Sequence, residues 1–79
     1  MPTVLRVGSY RFMFFGSDRD EPPHVHVKRG RDQAKFWIDP LVELESNSGF
    51  APHELNVVRK LVEQYRDFLL EKWHEFFGE

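Results

Sequence analysis

The chain has 79 residues, with eight Phe, two Trp, two Tyr and no Cys, and a formal net charge of −2. A chain this short buries only about 60–65% of its unfolded surface, so aromatic side chains carry much of the core. The absence of cysteine excludes disulfides, thiolate nucleophiles and Cys-ligated zinc. No apolar run approaches the roughly 20 residues that span a bilayer. The N-terminus lacks the apolar stretch and cleavage site of a secretory signal, so a cytoplasmic protein is expected.

A single domain is expected over residues 1–79, β-rich over 1–45 and helical over 51–77. Val4 to Val7 form a short β-branched run closed by the turn pair Gly8-Ser9. Tyr10 to Phe15 follow as the second arm of a hairpin, rich in residues that suit a pleated surface. Gly16 to Pro23 read as a polar, acidic loop stiffened at its end by two prolines, whose X-Pro bonds are open to either isomer. His24 to Lys28 form the third strand, Gly30 marks a turn, and Gln33 to Asp39 form the fourth, stopped by Pro40. Leu41 to Glu45 add a short fifth strand, and Ser46 to Gly49 read as a loop. From Pro52, apolar residues recur at spacings of three and four through Leu55, Val58, Leu61, Val62, Tyr65, Phe68, Leu69, Trp73, Phe76 and Phe77. That unbroken stripe predicts one amphipathic helix, stopped by Gly78. The fold class is therefore α+β: a small, mostly antiparallel sheet of four to five strands, packed on one face by a long C-terminal helix. A helix of about 25 residues is near 38 Å long, against about 20 Å for a six-residue strand. It must cross diagonally, bend or overhang, and an overhang leaves Trp73, Phe76 and Phe77 as a partner-binding patch for another protein or a second copy.

Side chains alternate across a strand. Val25, Val27, Ala34, Phe36 and Ile38 then feed the core, joined by Phe12, Phe14 and Tyr10, with Arg11 and Met13 outside. By the same parity His24, His26, Lys28, Lys35 and Trp37 share the face away from the helix, beside a loop bearing Asp18, Asp20 and Glu21. Charge is uneven as well: residues 1–39 balance at +2 and residues 40–79 at −4. The base excess gathers in Lys28, Arg29, Arg31 and Lys35, which read either as a solvated hairpin tip or as a polyanion-binding patch.

Met1-Pro2-Thr3-Val4, Phe14-Phe15, Glu21-Pro22-Pro23-His24-Val25-His26-Val27 and Trp73 together carry a family likeness. Over nearly its whole length the chain resembles the bacterial family catalogued as domain of unknown function 4160, with the Pro-Pro-His-x-His-Val segment as the most specific element. The resemblance implies a name more than a mechanism. It also implies a partner, because members are often encoded beside another small uncharacterised family, number 2442, in what looks like a toxin–antitoxin arrangement.

Three functional readings stand side by side. In the first, the protein is a toxin–antitoxin component that acts on RNA. His24 and His26 exchange protons with the 2′-hydroxyl and the leaving oxygen, and Arg11, Lys28 or Lys35 stabilises the charged transition state. Trp37 stacks on an unpaired base. Their i,i+2 spacing on one strand puts the two histidines roughly 6.5–7 Å apart at the backbone. In the second, the chain is a non-catalytic protein-binding module and the histidines tie the Asp18–Glu21 loop to the sheet. In the third, the two histidines with Asp18, Asp20 or Glu21 hold a metal such as zinc, although no third histidine has suitable spacing. No cofactor is expected, and His53 and His74 read as ordinary residues at the helix ends.

Overall fold

The computed structural model describes residues 3–78, apart from the side chains of Ser17 and Asp18. Five strands follow in order: β1 (Thr3–Val7), β2 (Tyr10–Met13), β3 (His24–Arg29), β4 (Asp32–Trp37) and β5 (Glu43–Ser48). A short 3-10 turn (Gly16–Asp20) precedes β3, and two helices close the chain, α1 (Pro52–Gln64) and α2 (Arg66–Phe77). The strands form one antiparallel meander in which each pairs only with its sequence neighbours.

Register and parity build the core together. Phe12, Val27 and Ala34 lie opposite one another across β2, β3 and β4, and Val25, Phe36 and Leu44 across β3, β4 and β5. This face packs under Val58 and Val62 of α1 and Leu69, Trp73 and Phe77 of α2, with Phe14, Ile38 and Phe50 filling the ends. The apolar alternation of the strands thus dictates which side the helices cover.

Several boundaries differ from those expected. The predicted single helix is two helices, of 13 and 12 residues, separated at Tyr65, whose ψ of 13° leaves the helical region. The apolar stripe runs straight through this point with neither Gly nor Pro to mark it. The restraint is tertiary: the Arg66 guanidinium donates to the carbonyls of Ile38 at 2.8 Å and Pro40 at 3.0 Å, fixing the chain beside the β4–β5 connection. Each helix is then about 18–20 Å long, close to the length of a strand, and the length mismatch is solved by a bend. Strand β2 stops at Met13, β3 reaches Arg29, β4 begins at Asp32 and ends at Trp37, and β5 starts at Glu43. β5 also runs on through Ser46, Asn47 and Ser48, which read as loop. Its ladder partner β4 imposes the extended backbone on residues with little strand preference of their own.

The only cis peptide bond among the described residues is Asp39–Pro40, so the prolines at 22 and 23 follow trans bonds. At the β5–α1 corner Gly49 has φ 107°, and a Cβ there would collide with the Asp32 carboxylate and backbone. The Asn47 side chain holds that corner, donating to the Phe50 carbonyl at 3.0 Å and accepting from the Phe50 N–H at 3.2 Å. Glu54 accepts from the Ala51 N–H and starts α1.

Because the helices bend, the expected overhang does not form. Trp73 is 2% exposed and Phe77 8%, and Phe14 meets Trp73 edge-on at 5.2 Å between centroids. Two of the three residues assigned to a partner patch are therefore core residues, and only Phe76, 41% exposed, faces outward. Met13, expected outside, is buried on the far face of the sheet. Trp73→Ala is expected to lower the unfolding free energy in urea by about 3–5 kcal/mol, whereas Phe76→Ala costs less than about 1 kcal/mol. Equal effects would contradict this division.

Candidate functional site

The face of the sheet without helices is organised in rows that run across the strands. Arg6 lies opposite Arg11, Arg11 opposite Lys28, Lys28 opposite Gln33, and Gln33 opposite Ser48. A second row joins Met13, His26, Lys35 and Ser46, and a third joins His24, Trp37 and Glu43. Neighbouring strands lie about 4.8 Å apart, so Arg6, Arg11 and Lys28 hold three cations side by side. Among the described residues none of the three has an acidic partner, and like charges directly opposite one another disfavour pairing. Arg6 escaped the sequence reading. The signal was present, since a two-residue Gly8-Ser9 loop that pairs Val7 with Tyr10 necessarily sets Arg6 against Arg11.

The two histidines keep the expected parity but differ in exposure. His24 has no exposed surface. Its ring lies between Trp37, 5.4 Å away and nearly perpendicular, and Trp73 of α2 at 5.1 Å. Nδ1 lies 2.9 Å from the Pro22 carbonyl, which can only accept, so Nδ1 carries the proton. His24 opens β3 at the end of the sheet, where α2 reaches round the strand terminus. The Pro22-Pro23 segment is held there too, with the Ile38 N–H donating to the Pro23 carbonyl at 3.1 Å. An open pair of imidazoles is therefore replaced by one enclosed ring and one on the face. His26 is half-buried, 5.1 Å from His24 between centroids and 4.2 Å from Phe15, whose ring is tilted 47° against it.

The remaining cations separate into two groups. Lys35 donates to Glu21 at 2.6 Å and lies 4.7 Å over the Trp37 ring, which ties the acidic loop to the sheet. Arg29 has core-side parity: it pairs with Glu54 and lies 5.2 Å over the Tyr10 ring. It thus belongs to the opposite face from Arg11, Lys28 and Trp37, whereas Arg31 is exposed at the β3–β4 hairpin tip. A hollow of about 230 Å³ opens beside the second row, lined by Phe15, His26, Gln33, Lys35, Ser46 and Ser48 among others.

No three His, Asp or Glu side chains gather to hold a metal among the described residues. The Asp18 side chain, a candidate ligand and loop partner, lies outside them. His53 and His74 are exposed near the helix ends, as expected. No helix among the described residues is long and apolar enough to cross a membrane.

Compared with known families, the chain matches the one described as Domain of unknown function (DUF4160) over residues 9–74, from the first hairpin to near the end of α2. No curated protein and no solved structure matches it.

The enclosure of His24 gives a direct expectation. His24→Ala removes a packed ring and a buried hydrogen bond and should cost about 2–4 kcal/mol in urea unfolding. His26→Ala, on the open face, should cost at least about 1 kcal/mol less. Wild-type stability in His24→Ala would contradict the structural role.

Proposed function

This chain belongs to the DUF4160 family, and we propose that it is an RNA-binding module rather than an RNA-cleaving enzyme. The reading rests on one observation: Arg6, Arg11 and Lys28 stand in register across three strands, on the face the helices leave open, with no carboxylate to neutralise them among the described residues. A polyanion laid across the row relieves the repulsion among them and releases counterions as it does so. Trp37 and Phe15, both half-buried on the same side, supply aromatic surface that a phosphate-only ligand does not need.

Catalysis by the histidine pair is disfavoured by the same geometry. A general acid or base must come within hydrogen-bond reach of the proton it moves. A ring with no exposed surface, enclosed by two tryptophans, does not meet that condition. His24 is better explained as the residue that pins the Pro22-Pro23 segment and α2 to the end of the sheet. The proposal keeps the two-gene, toxin–antitoxin-type setting that the family resemblance implies, with the small product of the adjacent gene as the partner that controls access to this face.

Fluorescence anisotropy with a labelled single-stranded RNA tests the reading. Arg11→Ala and Lys28→Ala should each weaken binding and reduce the slope of log K against log salt by about 0.7. Lys60→Ala, on the outer side of α1, should leave the slope unchanged, and the RNA should be recovered uncut. Salt-independent binding, or cleavage lost in His24→Gln, would contradict the proposal.

A further inference from the structure

We propose that the hollow beside His26 is a subsite for a single unpaired base of the RNA whose backbone follows the Arg6–Arg11–Lys28 row; this rests on the RNA-binding reading above. Three features of the open face lead to it. The first is position. Gln33 continues the cation row from Lys28, Ser48 continues it from Gln33, and both line the hollow. A strand held on the row is therefore delivered to the rim of the hollow.

The second is how the hollow is made. Phe36 pairs with Leu44, yet Lys35 pairs with Ser46, so Glu45 is an extra residue in β5. A bulge reverses the alternation beyond it. Paired regularly from Phe36 and Leu44, the same residues would set Glu45 opposite Lys35 and Ser46 opposite Ala34, pointing to the core. With the bulge, Ser46 and Ser48 lie opposite Lys35 and Gln33 of the open face, while Asn47 lies opposite Ala34, at the rim of the hollow, and holds the Phe50 corner. One inserted residue thus gives the open face two hydroxyls that a regular strand would have hidden.

The third is chemistry. Phe15 and His26, in tilted ring contact, form an aromatic wall, while the Gln33 amide and the Ser46 and Ser48 hydroxyls offer both donors and acceptors. A hollow of about 230 Å³ has room for several waters, or for one planar heterocycle in their place. Lys35 is engaged by Glu21, so the hollow itself has little call on a phosphate. The phosphates stay on the Arg11–Lys28 side and the base enters. Unpaired bases are recognised in this way, by stacking together with hydrogen bonds to their edges.

The test compares two labelled probes of about eight nucleotides, a single-stranded RNA of mixed sequence and an abasic analogue with the same backbone. The RNA is expected to bind roughly tenfold tighter than the abasic strand. Phe15→Leu, which keeps apolar contact with His26, and Gln33→Ala, which changes an exposed side chain, should each shrink that difference and leave abasic binding unchanged. Lys28→Ala should weaken both probes by the same factor. Equal binding of the two probes, unaltered by Phe15→Leu while Lys28→Ala still weakens both, overturns the base subsite and leaves the RNA-binding face standing. If Lys28→Ala weakens neither probe, the RNA-binding face falls and the subsite falls with it.

Discussion

A sheet has two faces, and among the described residues helices cover only one of them. Strand alternation sends Phe12, Val25, Val27, Ala34 and Phe36 beneath α1 and α2, and the same alternation must send their neighbours the other way. Those neighbours are Arg11, His26, Lys28, Lys35 and Trp37, joined through pairing by Arg6. The composition of the open face is therefore fixed by the construction of the core. A shift of register by one residue would exchange the two sets and leave neither a core nor a cation row.

Where the two layers meet, one residue serves both. His24 has the parity of the open face, yet it stands at the first position of β3, where Trp73 of α2 closes over the end of the sheet. Its ring contacts Trp37 on one side and Trp73 on the other, and its Nδ1–H holds the Pro22 carbonyl. In a domain with a thin core such a contact carries a large share of the cohesion between sheet and helix. The rigidity of the Pro-Pro-His segment is explained by this junction, and the open face receives from it a fixed floor rather than a reactive group.

Much of this was legible in the sequence because it depends on local chemistry. Alternation marked the core faces of β3 and β4, Gly8-Ser9 and Gly30 marked the hairpins, Pro52 the start of α1 and Gly78 the end of α2. What was not legible depends on contacts between distant residues. The break at Tyr65 has no helix breaker and follows from Arg66 reaching the Ile38 and Pro40 carbonyls. The extension of β5 through Ser46, Asn47 and Ser48 is imposed by β4, against the preferences of those residues. The burial of His24 needs α2 to wrap the sheet end, which parity alone cannot reveal. The outer row sits between these cases: its residues are plain in the sequence, but the alignment of Arg6 with Arg11 and Lys28 appears only once register is counted across two hairpins.

The most direct measurement of the central claim is an NMR titration of isotope-labelled protein with a short single-stranded RNA. The account predicts that chemical-shift changes gather at Arg6, Arg11, Lys28, Gln33 and their strand neighbours, and that the solvent-facing residues of α1 and α2 stay unmoved. Shifts centred on the helices, or on neither layer, would contradict it.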